Sequence, residues 1–137
     1  MASAELPLSF VVQGVPVSAQ TRNRRWRRRW IDKVKSAAAA AIGNVEPLAV
    51  EVSVVLVYFY RDGSPDVDNI IKPILDGMNQ VVYEDDRLID QVTARKTDFA
   101  AGLEVRGATA EMLEAFDEVA DFVYVSVQTP PDHRVLP

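Results

Sequence analysis

The chain has 137 residues, 48% of them apolar and 26% charged, and a net charge of −5. This is the mix of a folded, water-soluble protein of about one domain, and it excludes a disordered or membrane-embedded chain. With no cysteine and His133 as the one histidine, disulfide frameworks, thiolate zinc sites and histidine clusters are excluded, so any metal must sit on oxygen ligands.

No apolar stretch approaches the ~18 residues of a membrane span, and the N-terminus lacks the charged start and apolar run of a secretory signal. A cytoplasmic location and no membrane partner are the expectation. Leu8 to Val12 is a β-branched and aromatic run followed by turn chemistry at Gly14 and Pro16, which predicts an opening strand. From about Arg24 to Ile42, Trp26, Trp30, Val34, Ala37 and Ala41 recur at helical spacing. They predict an amphipathic helix capped by Asn23 and closed by Gly43 and Pro47. On this spacing both tryptophans belong to the packed stripe, which favours core anchors over the alternative of base-stacking platforms.

The basic part of this segment, 22–42, stands apart in charge. Between Arg22 and Lys35, eight basic side chains face only Asp32, a local charge of +7, while the rest of the chain carries seven basic and nineteen acidic groups, or −12. Six arginines fall within eight positions, more than solubility requires, and they are candidates for binding the phosphates of a nucleic acid. The candidate contacts are Arg22, Arg24, Arg25, Arg27, Arg28, Arg29 and Lys33.

Val50 to Tyr60 is polar only at Glu51, Ser53 and the tyrosine hydroxyls, as a central strand covered on both faces would be. After a turn at Arg61 to Pro65, a second helix is predicted from near Asp68 to about Val81, with Ile70, Ile71, Ile74, Leu75 and Met78 inward and Pro73 close to its first turn. Gln91 to Phe99 predicts a strand that Leu103 to Arg106 extends or pairs with. Thr109 to Val119 predicts a short acidic helix and Phe122 to Gln128 a closing strand, with a mobile tail after about residue 129. The order predicts a single α/β or α+β domain, a single-layer mixed sheet flanked by helices.

Chemistry concentrates just after the strongest strand. Asp66 and Asp68 are two residues apart and repel each other unless a cation or proton neutralises them. Hard cations such as Mg²⁺ accept carboxylate oxygens and keep several waters, so two or three aspartates from different segments suffice. Asp85 and Asp86 form a second acidic cluster, and a helix running out with a turn back would bring the two clusters to one edge. Lys72, one turn after Asp68, is placed to contact a phosphate or stabilise developing charge rather than act as a base, because an ordinary lysine is protonated at neutral pH. The EF-hand reading fails, since Ile70 and Ile71 stand where that loop needs Asp or Asn and Gly. Tyr83 is open between core, interface and DNA-facing roles.

The pattern Asp66-x-Asp68-Asn69-x-x-Lys72-x-x-x-Asp76, followed by Asp85-Asp86 and the apolar Leu88 and Ile89, resembles the signature of RusA-type Holliday junction resolvases. The resemblance covers mainly residues 64–96. It implies a homodimeric α/β endonuclease that binds branched, four-way DNA and uses Mg²⁺, with Mn²⁺ an equally acceptable ion, to make paired symmetric nicks in recombination and repair. By position, the family's metal ligands fall on Asp66, Asp68 and Asp86 and its essential lysine on Lys72. Asn69, Asp76 and Asp85 match as supporting residues, Asn69 orienting the metal ligands and Asp76 steadying Lys72. The overall acidity and the acidic stretch from Glu111 to Asp121 depart from what a DNA enzyme suggests. Two other readings stay open, a nuclease preferring flaps or forks and a catalytically silent junction-binding or adaptor protein.

Overall fold

The computed structural model describes residues 4–61, 65–98, 108–117 and 120–136. Its elements in chain order are β1 (Leu8–Gln13), α1 (Arg24–Ile42), β2 (Val52–Tyr60), α2 (Val67–Met78), β3 (Ile89–Asp98), α3 (Ala110–Asp117) and β4 (Phe122–Gln128). The strands form one mixed sheet in the order β1-β4-β2-β3, an α+β architecture. β4 runs antiparallel to both β1 and β2, and β3 runs parallel to β2. A parallel neighbour requires a crossover, and α2 is that crossover, so the acidic segment lies on the connection between two adjacent strands.

Period-two alternation divides β2 between two cores. Val52, Val54, Leu56 and Tyr58 face one side with Phe10, Val12, Val123, Val125 and Val127, where Trp30, Val34 and Ala38 of α1 and Ile70, Ile74 and Met78 of α2 cover them. Val57 and Phe59 face the other side with Phe122, against Met112 and Ala115 at α3. β2 is thus the doubly covered central strand that its composition predicts, with β1 and β3 at the edges of the sheet formed by the described residues.

Local signals set the ends of α1. Asn23 Oδ1 accepts from the Trp26 amide at 3.1 Å, and Gly43 closes the helix with φ 72° while its amide donates to the Ala39 carbonyl at 3.0 Å. α2 ends earlier than periodicity suggests. Gln80 has φ 64°, a left-handed turn, and the segment from Asn79 to Tyr83 forms isolated bridges instead of a further helical turn. The expected pairing strand Leu103 to Arg106 lies outside the described residues. After β4, His133 Nε2 meets Asp90 Oδ2 at 3.0 Å, which joins the C-terminal segment to the start of β3.

The two helices approach closely at one point. A Cβ on Gly77 of α2 would lie 2.6 Å from Val34 Cβ and 3.0 Å from the Ile31 carbonyl of α1. Only glycine fits between the helices there, and this contact fixes the offset of the basic helix from the acidic one.

Candidate active site

Pro65 precedes Asp66, whose backbone is extended (φ −67°, ψ 154°) at the N-cap of α2. The Asp66 side chain makes no capping hydrogen bond, so its carboxylate is not consumed by the helix end. Asp68 follows in the first turn, where the helix dipole favours an acidic group. Asp68, Lys72 and Asp76 succeed one another at four-residue intervals and share a stripe of the helix. Lys72 Nζ donates to Asp76 Oδ1 at 2.6 Å and lies 3.9 Å from Asp86 Oδ2. The hydrogen bond to Asp76 is the main reason that the Lys72 ammonium is held above its ordinary pKa of 10.5, with Asp86 adding to it and Arg27 opposing it. Lys72 is therefore a cation at neutral pH, as its expected role requires.

Pro73 sits well inside α2, not near the first turn as periodicity suggested. Proline has no amide proton, so the Asn69 carbonyl four residues earlier loses its helical donor. The Ala19 amide replaces it, donating to Asn69 O at 2.8 Å. On its other side, the Ala19 carbonyl accepts from the Arg27 guanidinium at 3.4 Å. A helix defect in the acidic element thus becomes a tether, through the Asn69 carbonyl, to the loop that leads into the basic helix.

The return from α2 places the second acidic cluster. Leu48, just ahead of β2, accepts from the Glu84 amide at 3.0 Å and donates to the Val82 carbonyl at 2.8 Å. Tyr83 is fully buried and its hydroxyl donates to the Leu75 carbonyl at 2.6 Å. This settles its role as core. Burial, and then the charges of Asp86 and Asp76, push its phenol well above the ordinary value. Tyr83 thus lies close enough to both carboxylates to feel their charge. Asp85 Oδ1 accepts from the Arg87 amide at 3.0 Å and starts the 3-10 turn Asp86–Leu88. That amide, followed by the adjoining Asp86 carboxyl, holds the Asp85 carboxyl below its usual range.

Lys72, Asp76 and Asp86 are thereby brought together. Asp68 is one helical turn before Lys72, about 6 Å along α2, and Asp66 roughly 9 Å. Among the described residues, no three acidic or histidine side chains are gathered closely enough to hold an ion alone. The donor set nevertheless suits a hard cation. Asp66, Asp68 and Asp86 are exposed carboxylates, and Mg²⁺ takes one or two carboxylates while water and substrate phosphate complete its shell.

The basic segment forms a collar around the start of α1. Arg22, Arg24, Arg25, Arg28, Arg29 and Lys33 are exposed, whereas Arg27 is half-buried against the Ala19 loop on the side of Lys72. Of the tryptophans, Trp30 is buried as expected, but Trp26 is 59% exposed. Its spacing matches the packed stripe, yet among the described residues Trp26 lines grooves with loop residues such as Val17 rather than packing into the core. Exposure of Trp26, the Ala19 tether and the Gly77 contact were not legible in the sequence, because each depends on a neighbour distant in the chain.

No helix among the described residues is long and apolar enough to cross a membrane. The family model described as Endodeoxyribonuclease RusA matches residues 13–106, a span that contains the basic collar, α2 and the Asp85–Asp86 turn. No curated protein matches the chain.

Proposed function

The chain belongs to the RusA endodeoxyribonuclease family, and on that premise we propose that it is a divalent-metal-dependent nuclease that resolves four-way DNA junctions by paired symmetric nicks. The observation that carries this reading is the position of Lys72, held between Asp76 and Asp86, one turn from Asp68 and beside Arg27. It is a cation at neutral pH in an acidic cluster, on the side of α2 that the basic helix adjoins. A phosphodiester needs both signs of charge, cations to attract it and carboxylates to hold the ion that neutralises it.

Asp66, Asp68 and Asp86 would hold Mg²⁺ or Mn²⁺. Bound there, the ion supplies charge neutralisation at the scissile phosphate and activation of a water. Lys72 contacts a phosphate oxygen and stabilises charge that develops on it. Asp76 orients Lys72, Asp85 shapes the turn that presents Asp86, and Asn69 holds the helix against the Ala19 loop. Arg22, Arg24, Arg25, Arg28, Arg29 and Lys33 bind flanking phosphates, which lets an acidic protein hold DNA at one edge. A homodimer with two such sites matches the twofold symmetry of a junction with two scissile strands. Such an enzyme would act in the cytoplasm, in recombination and repair.

The test is cleavage of a labelled four-way junction beside matched duplex, flap and single-stranded DNA, in Mg²⁺ or EDTA, for wild type and Asp68→Asn. Symmetric metal-dependent nicks in the junction that the substitution abolishes are the expected result. Preferential cutting of flaps would overturn the junction assignment, and junction binding without cutting would make the protein an adaptor.

A further inference from the structure

Trp26 is out of keeping with its helix. The other large apolar side chains of α1 that point toward the sheet, Trp30 and Val34, are buried, while the Trp26 indole is 59% exposed in the middle of the arginine collar. Its backbone is held where the helix begins, because the Trp26 amide donates to the Asn23 cap at 3.1 Å. Trp26 lines a groove together with Pro65, the residue before Asp66. It also lines a second depression with Arg29 and Lys33. Asp121, which also lines the groove, is engaged at both carboxylate oxygens, by the Tyr58 hydroxyl at 2.7 Å and the Arg61 amide at 3.2 Å.

We propose that Trp26 is a stacking platform for an unstacked base of the bound DNA, next to the phosphodiester that the Asp66–Asp68 end of α2 engages. This deepens the nuclease reading and rests on it. A nucleobase has a flat apolar face and is flanked by phosphates, and the site offers an exposed indole face with Arg29 and Lys33 alongside. Intact duplex has no base to give, because each base is already stacked within the helix. At a branch point the stack is interrupted, and a base there gains a new partner in the indole. Trp26 thus acts as a specificity-determining residue that favours branched over continuous DNA, while the arginines bind both.

The test uses the full chain in EDTA, with a four-way junction and a duplex of the same arm sequences. The Trp26 signal is the wild-type fluorescence minus that of Trp26→Phe, which retains the buried Trp30. The expected result is quenching of this signal by the junction but not by the duplex. Trp26→Ala should lose on the order of tenfold or more in junction affinity, the scale of one base–aromatic stack, and Trp26→Phe much less. Duplex affinity and the salt dependence of binding should not change, since no phosphate contact is removed. An unchanged thermal midpoint for Trp26→Ala shows that the fold is intact, and a lowered one leaves the fluorescence difference to decide. Equal quenching by both DNAs, no quenching by either, or a Trp26 shift on self-association without DNA would overturn the proposal. If the wild type cuts junctions and Trp26→Ala binds them equally well, the stacking role falls and the nuclease reading stands. If the wild type neither prefers nor cuts junctions, both fall.

Discussion

α1 and α2 lie side by side on one face of the sheet and carry opposite chemistry. α1 opens with five arginines in six positions, whereas α2 presents Asp68 and Asp76 on either side of Lys72. The first attracts a polyanion and the second repels one unless cations intervene. The difference teaches that the two signs of charge are carried by separate elements, so under the proposed function holding DNA and cutting it would be divided between them and would depend on their offset. Two features set that offset, the Gly77–Val34 contact and the Ala19 link between Asn69 and Arg27.

The largest expected effect separates the two helices by function. Asp68→Asn should reduce cleavage by roughly 100-fold or more, beyond the 10- to 100-fold seen when a mere supporting partner of a metal ligand is lost. Junction binding should be kept or tightened, because a negative charge near the phosphates disappears. Gel-shift and cleavage assays on one protein preparation measure both, and weakened binding would break the division of labour.

Next comes the offset itself. Gly77→Ala places a methyl group against Val34 Cβ and the Ile31 carbonyl, neither of which is the free end of a flexible side chain. Overpacking of this kind costs about 1–3 kcal/mol, offset by up to ~1 kcal/mol of helix propensity. The denaturation midpoint should fall, and cutting should fall with it as α1 moves away from α2. Full activity with an unchanged midpoint would show that the spacing is not critical.

A smaller effect belongs to the collar. The double substitution Arg24→Ala with Arg28→Ala should lower the slope of log affinity against log salt by about 2, at ~0.9 per phosphate contact. The loss of affinity should exceed any change in turnover, as a salt titration of duplex and junction binding would show.

The smallest effect is a shift in pH. The folded pKa of Lys72 lies above 10.5, so its positive charge, and the contacts that use it, persist below that value and are lost as pH rises through the raised one. Asp76→Asn removes the largest cause of the rise, so the loss should move to lower pH. An NMR titration of the lysine side chains reads this directly, and an unmoved Lys72 would place Asp76 outside its environment.

Local features of this chain were legible from residue types alone. The Asn23 cap and Gly43 stop of α1 use groups within a few residues of each other, and β4 begins and ends where its alternation does. The central place of β2 followed from its composition, because a strand apolar at both parities must be covered twice. Pro73 misled for an equally definite reason. An interior proline normally ends a helix, and it is accommodated here because the freed Asn69 carbonyl finds a donor fifty residues earlier in the chain. Trp26 had the correct period for the packed stripe, but period describes the face of a helix and not how far the core extends beneath it.

By itself the sequence determined the inventory of chemistry: oxygen ligands only, one acidic motif with a lysine, and a basic collar on an otherwise acidic chain. Those are properties of residue types and short spacings, which a linear chain already holds. Tertiary structure alone decided which of these groups meet. The Lys72–Asp76 pair is local to α2, but Asp86 comes near Lys72 because the return loop is bonded to Leu48 and packed on Tyr83, and Arg27 reaches the same edge because glycine at 77 lets the helices close. Such meetings depend on packing between distant segments, where the fit of one side chain against another sets the distances on which the chemistry depends.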